Sequence, residues 1–425
     1  MQRTDEPPTV LLTRHDSPLP KHWRLTRDGT RITRESWTGA GKPRSTSRHI
    51  DGPPAAAAQE FRKQVRRKMH EGFAVLRVPD AARPGDLLLE CTVPNRYVSS
   101  AFDLRPDGAE VAVATSLRDG SGAEIHLIDV ATGVRRPVHT EPAAGPHGTR
   151  AYTVLHALGY DSTGTALVFA LDGETRRLDL RTGEIRVLAS YRHLHDAHFN
   201  PYRLEPEWDA SRTRLLVFDT GDTVRIQDAD GTALFALPVA DPVTGPATEC
   251  RAAALSPSGR LLALYRPSHG SMHRYGDAIE VWDVDTGTLR SRIQVPAPYP
   301  DNRLDRIGFD PDEKLIVANI EPAQGPFAFS AETGELAWHT PAATRTEPDD
   351  PCFTWAYAPD GSLLAIGRQR ADRGIDLRDA TTREPAPITL ERIEGHRVRR
   401  LVFSADSRIL AAGGDSDLLT VRKIR

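Results

Sequence analysis

The sequence predicts a mainly β chain: a ring of seven radial antiparallel sheets, a seven-bladed β-propeller, with a small α+β domain at its N-terminal end. Three observations predict it. Between Cys250 and Val295, four short apolar runs alternate with turn residues. That unit recurs along the chain. The charge balance reverses, from basic to acidic, at about residue 78.

The unit reads as four strands. Ala252–Leu255 is the first run, turned by Ser256-Pro-Ser-Gly259, and Leu261–Tyr265 is the second. Ala278–Val284 is the third, Asp285-Thr-Gly287 turns the chain again, and Leu289–Val295 is the fourth. Apolar alternation bounded by Pro, Gly, Asp and Ser is the pattern of antiparallel strands. One four-stranded sheet cannot close a core alone, so copies are needed. The first turn recurs at Asp107, Thr163, Ser211, Ser258, Asp312, Asp360 and Asp406, at spacings of 46 to 56 residues. Those spacings lie close to the ~40–50 residues of a propeller blade. The second turn recurs as Ala131-Thr-Gly133, Arg181-Thr-Gly183, Asp230-Gly231, Asp285-Thr-Gly287 and Ala331-Glu-Thr-Gly334.

The last copy is the most informative. It carries Gly395-His396, Leu401-Val-Phe-Ser404-Ala-Asp406, Leu410-Ala-Ala-Gly-Gly-Asp415 and Thr420-Val-Arg422. With Trp282-Asp283 in the fourth copy, these motifs resemble the WD-repeat β-propeller family over roughly three quarters of the chain. Most other copies lack the Gly-His and Trp-Asp pairs, so the repeats are degenerate. The last copy ends after three strands, and Asp86–Val93 can supply its fourth, which predicts pairing of 86–93 beside 419–424.

The segment before the ring follows another pattern. Residues 1–20 are polar and Pro-rich and are expected to be a disordered leader. Trp23-Arg-Leu25 and Arg31-Ile-Thr33 alternate around the turn Asp28-Gly29, and Arg44–Ile50 alternates again. Asp51 stands where a helix N-cap belongs, ahead of Pro53 and Pro54. A helix is expected from about Pro54 to His70, with Ala57, Phe61, Val65 and Met69 on one face and Gly72 at its end. Phe73–Val78 is a last strand. Trp23, Asp28-Gly29, Trp37, Gly41, the Ala55–Ala58 helix start and Lys68…Gly72-Phe73 together resemble the WGR domain, over about Lys21 to Val78. That module occurs in poly(ADP-ribose) polymerases, where it helps bind DNA ends, and in many bacterial proteins. The chain departs from the motif itself, with Trp37-Thr38-Gly39 in its place, so the motif arginine is absent. The expected organisation is a leader at 1–20, a WGR-like domain at 21–78, a linker and ring-closing strand at 79–95, and the propeller at 96–425. The head's own apolar face predicts that it folds apart from the ring.

Residues 1–78 hold 16 Lys and Arg against 8 Asp and Glu, and the remainder holds 39 against 50. An acidic propeller thus carries a basic head, which points to an anionic partner at the basic end. The three cysteines have no metal spacing, and the N-terminus has no apolar run for a signal peptide or membrane span. A cytoplasmic, monomeric protein is expected, and scarce lysine beside abundant Arg, Ala, Pro and Gly suggests a bacterial, high-GC source.

Candidate sites follow. Arg62, Lys63, Arg66 and Arg67 face away from the helix's apolar side, and Lys42, Arg44 and Arg48 precede them. Such a patch can neutralise phosphates, with Trp37 stacking on a base or sugar. The alternative is a solvated helix face with Trp37 in the small core. The run Tyr191–His198 holds His193, His195, Asp196 and His198, which could ligate zinc or simply join two blades. The loop Arg266–Asp277, with His269, His273, Arg274 and Tyr275, and the loop Arg368–Arg373, with Arg368 and Arg370, are expected at one rim as a partner surface. No hydrolase elbow, zinc-protease motif or phosphate loop occurs, and most carboxylates sit in turns. No metal or cofactor is expected. The pattern therefore reads as a non-catalytic interaction protein, its rim binding a protein and its head binding DNA or a second protein. The alternative is an enzyme of hydrolase or lactonase type with its site in the propeller channel.

Overall fold

A computed structural model describes residues 8–15, 17–93, 101–116, 122–142, 155–171, 174–190, 206–219, 223–238, 252–266, 278–294, 303–321, 326–339, 352–368, 374–390, 398–414 and 417–425. The head is built from β1 (Thr9–Arg14), β2 (Lys21–Asp28), β3 (Arg31–Thr38), β4 (Arg44–His49), α1 (Pro54–His70) and β5 (Ala74–Leu76), and a 3-10 turn at Pro79–Ala81 leads to β6 (Leu87–Thr92). The helix starts at Pro54 with Pro53 as its cap residue and no side-chain cap bond. Asp51 is therefore not the cap. Proline's locked φ pre-organises the first turn, and its missing N–H costs nothing there. Gly72, at φ +90°, ends the helix as expected. Under α1 lies a core of Leu12, Trp23, Leu25, Ile32, Phe61, Met69 and Phe73. Leu12 comes from β1, inside the stretch expected to be a disordered leader. That stretch is a strand from Thr9 because alternate residues fill the head's core.

Six sheets follow. They comprise β7–β10 (Phe102–Leu104, Glu110–Ser116, Gly122–Asp129, Arg135–Pro142), β11–β14 (Leu155–Tyr160, Ala166–Leu171, Glu174–Asp179, Ile185–Ser190) and β15–β18 (Glu207–Trp208, Arg214–Asp219, Thr223–Asp228, Ala233–Pro238). Next come β19–β22 (Ala252–Leu255, Leu261–Arg266, Ala278–Asp283, Thr288–Gln294), β23–β26 (Arg303–Phe309, Leu315–Glu321, Pro326–Ser330, Leu336–His339) and β27–β29 (Cys352–Tyr357, Leu363–Arg368, Ile375–Asp379). Each is an antiparallel meander in chain order. First strands of neighbouring sheets lie side by side, β7 by β11, β19 by β23 and β27 by the last first strand, β30 (Val398–Phe403), which in turn lies by β7. The fold is a mainly β propeller.

The seven separate sheets expected from the repeat count become six. The last copy, β30, β31 (Ile409–Gly414) and β32 (Leu418–Lys423), belongs to a nine-stranded sheet ordered β30-β31-β32-β6-β5-β1-β2-β3-β4. β6 pairs with β32, Leu418 opposite Thr92 and Leu419 opposite Cys91. β5 then adds to the free edge of β6, Val75 opposite Glu90, and to β1, Leu12 opposite Val75. Leu418 of β32 is buried in the head's core. The head's sheet is thus continuous with that of the last copy, which covers the β6 edge and Leu418. Before β6, Gly85 has φ +94°, and a Cβ there would stand 2.1 Å from the carbonyl oxygen of Thr389, so only glycine fits.

The turns show why the repeat is legible. After the third strand, Asp129, Asp179, Asp228, Asp283 and Asp379 accept backbone N–H bonds from residues two to four positions on, such as Thr182 at 2.7 Å and Thr286 at 2.9 Å. After the first strand, a left-handed residue recurs in all seven copies: Gly108, Gly164, Arg212, Gly259, Glu313, Gly361 and Ser407. Glycine is the ordinary choice there. Each of the three exceptions bonds to an earlier sheet. Arg212 reaches Asp103, Glu313 accepts from the Ser258 hydroxyl at 2.9 Å, and Ser407 accepts the Asp360 N–H at 3.0 Å. A side chain offsets the backbone strain by tying two copies together.

Candidate binding surfaces of the head and ring

Opposed residues in an antiparallel pair share a face. His22 opposes Trp37 and Arg24 opposes Glu35 across β2 and β3, while Trp23 and Leu25 alternate onto the α1 side. Trp37 is therefore half-buried on the open face, and Trp23 is the core tryptophan. The imidazole of His22 stacks on Trp37 with centroids 5.1 Å apart and planes at 28°. The Arg24 guanidinium lies 5.2 Å from the Trp37 ring and donates to Glu35 Oε2 at 3.2 Å. Partial burial, and then the neighbouring His15, pull the His22 pKa below its ordinary value.

Trp37 does not join the expected basic patch, and Arg66 is paired within the protein. Lys42, Arg44 and Arg48 are exposed at the outer edge of the sheet, and Arg62, Lys63 and Arg67 are exposed on α1. Ile32 opposes Arg48 and Ser36 opposes Arg44, so both arginines alternate onto the α1 side, away from Trp37. Arg66 is half-exposed but paired within the protein. It pairs with Asp417, just before β32, and His70 Nε2 lies 3.0 Å from the same carboxylate. Arg66 and His70 therefore dock the head on the ring. Nothing in the sequence marks Asp417, which lies 351 residues from its partner.

His193, His195, Asp196, His198, His269, His273, Arg274, Tyr275 and Arg370 lie outside the described residues, as does the side chain of Arg368, the last residue of β28.

Polar side chains of the inner strands and of the turn at Arg212 bond across sheets. Arg212 donates to Asp103 Oδ2 at 2.5 Å and to the Tyr160 carbonyl at 2.9 Å, and Asp103 also accepts the Tyr160 N–H at 2.7 Å. The Tyr160 hydroxyl donates to Glu110 Oε1 at 2.9 Å, and burial, followed by the Glu110 charge, raises its pKa. Arg306 donates to the Thr354 hydroxyl at 2.7 Å, and Arg400 donates to the Leu158 carbonyl at 3.3 Å. Among the described residues no group of three or more His, Cys, Asp or Glu could hold a metal. The buried Cys91 thiol is pushed up to about 12 by desolvation, which leaves it protonated and unreactive. No helix among the described residues is long and apolar enough to cross a membrane.

No family model matches the chain. No curated protein matches it either. Among solved structures 959 chains match. One, in the crystal structure of the mitotic checkpoint complex, has a TM-score of 0.53 and 14% identity, covering 82% of this chain and 96% of that one. At that identity the likeness shows the fold alone, a β-propeller.

Proposed function

We propose that this chain is a non-catalytic interaction protein that holds two partners at once. The propeller rim takes a protein partner, and the basic head takes nucleic acid or a second protein. In this reading β30, β31, β32 and β6 are a seventh blade, and the head is a WGR-like module extended by β1. The carrying observation is the nine-stranded sheet, in which β5 bonds the head's strands to the outer edge of β6. A head joined by a ladder and by Arg66 and His70 at Asp417 holds a fixed orientation, which suits a bridge between partners. Arg212, Arg306 and Arg400 each bond to another sheet of the ring, which favours a scaffold over a channel enzyme.

The nucleic-acid half has a direct test. Mobility shifts of blunt and circular duplexes by the full chain, over a salt series, should show binding that weakens steeply as salt rises. Arg62→Glu/Lys63→Glu/Arg67→Glu should abolish the shift, since all three residues are exposed on α1. No shift at low salt discards nucleic acid and leaves a protein as the head's partner. For the rim, cross-linking mass spectrometry of the full chain in extract should place cross-links on the loops at 266–277 and 368–373. Cross-links confined to the head would overturn the two-partner reading.

A further inference from the structure

We propose that the outer edge of β4 is a docking strand for an extended acidic peptide, which adds to the head's sheet as a tenth strand. The proposal deepens the reading of the head as a partner-holding module and rests on it.

The sheet edges of this protein are treated unequally. Outer strands β10, β14, β18, β22 and β26 all pair inward through a register shift. Such irregularities, and prolines such as Pro137 and Pro238, blunt an edge against further pairing. The edge of β29 is met by Pro385, which bridges Arg378, and by the Ala386 N–H, which bonds to the Leu377 carbonyl at 2.9 Å. β30, at one end of the nine-stranded sheet, lies against β27 and β7. β4 ends the same sheet on the other side. It pairs with β3 through six residues without a shift, contains no proline, and has all six residues exposed.

The ladder shows which groups are offered. The Ile50 N–H bonds to the Thr30 carbonyl at 2.9 Å. Hydrogen-bonded pairs alternate along an antiparallel ladder, so Arg48, Thr46 and Arg44 also spend their backbone groups on β3. Ser45, Ser47 and His49 then direct N–H and C=O outward. Three such residues in a regular strand are enough for β-augmentation.

Charge selects the occupant. Arg44 and Arg48 lie four residues apart on the α1 side, about 13 Å along a strand. Exposed Lys63 and Arg67 stand on α1, where the intervening Gln64 accepts a bond from Arg34 of β3 at 3.2 Å. A second copy of β4 in the antiparallel register centred on Thr46 sets Arg44 against Arg48, and like charges directly opposed destabilise that register. A peptide with two carboxylates four residues apart places one opposite each arginine.

The test uses the full chain and a fluorescent peptide, Thr-Glu-Val-Thr-Val-Glu-Thr, beside a copy with Lys for both Glu. Anisotropy should report binding of the Glu peptide, and hydrogen exchange should show new protection at the Ser45, Ser47 and His49 amides but not at Arg44, Thr46 or Arg48. Arg44→Glu/Arg48→Glu should weaken the Glu peptide by about tenfold or more and bring in the Lys peptide. Ser47→Pro should abolish binding, since it deletes an outward donor and spares the β3 ladder. If that variant fails to fold, amide protection and the charge swap decide. Unchanged exchange at peptide saturation overturns the proposal, as does a charge reversal without effect. It also falls if a duplex DNA protects those three amides and the peptide does not. A failed mobility shift leaves this proposal standing, and absent amide protection leaves the nucleic-acid reading standing, so the two fail separately.

Discussion

Two six-residue strands mark the extremes of this molecule. In β12, Ala166–Leu171, every residue is buried; in β4, Arg44–His49, every residue is exposed. Both are regular antiparallel strands. β12 is an interior strand of its sheet and lies between neighbouring sheets, so both faces meet apolar surface and its sequence is a continuous apolar run. β4 ends a sheet that α1 covers on one side only. The ring is thus held by contacts that repeat from copy to copy, and the head by a single core that borrows Leu418 from the ring. What a strand pairs with matters less to its sequence than what covers its faces.

The largest expected effect comes from separating the two regions. A chain of residues 80–425 uncovers the β6 edge and Leu418, whose burial alone is worth ~1.5–3 kcal/mol. It should melt lower than the full chain and scatter light on heating, as calorimetry with light scattering would show. Equal melting and no aggregation would mean that the shared sheet contributes nothing to the ring.

Within the ring, Arg212→Ala removes the cation from buried Asp103 and should cost about 3–5 kcal/mol in denaturant unfolding. Arg212→Gly should recover about 1 kcal/mol of that, because the left-handed turn suits glycine. Identical losses for the two variants would show that the backbone at Arg212 is unstrained.

Within the head, the two tryptophans separate covered from open face. Trp23→Ala should cost about 3–5 kcal/mol as a core deletion. Trp37→Ala loses only a stack on His22 and the Arg24 contact, about 1 kcal/mol. A larger loss for Trp37 would reverse the assignment of faces.

The smallest effect is on pH dependence. Backbone N–H bonds, first from Thr182, Thr232, Thr286 and Thr382, hold Asp179, Asp228, Asp283 and Asp379 below the usual carboxylate range. A folded pKa below the unfolded one contributes stability above the unfolded value, about 3.9, which is lost as pH falls through the folded one. Asp310, raised by burial, acts with the opposite sign. Asp107 and Asp360 are lowered as well, and His22 and His126 are lowered by burial, so melting temperature should begin to decline below about pH 6.5, where the unfolded histidines take up protons, and fall further below about 4. A rise in melting temperature on acidification would show that buried carboxylates such as Asp310 outweigh the turns.

The candidate surfaces were partly legible. Lys42, Arg44, Arg48, Arg62, Lys63 and Arg67 are exposed as their residue types suggest, since charged side chains seldom lose water unpaired. Arg66 broke the pattern because its partner, Asp417, arrives from the far end of the chain. Trp37 and Trp23 could not be told apart from composition, because the face a strand buries depends on where α1 lies.

By itself the sequence determined what is local and repeated. Period, turn chemistry and apolar runs specify the strands, the meanders and the helix, because left-handed turns need glycine or a compensated substitute and buried strands need apolar side chains on both faces. Only the tertiary structure decided how many sheets stand apart, that Thr9–Arg14 joins the head, and that Leu418 belongs to two regions at once. Those outcomes depend on which edges meet after the ring closes. Edge pairing uses backbone N–H and C=O groups that every residue but proline carries, so no side chain announces it.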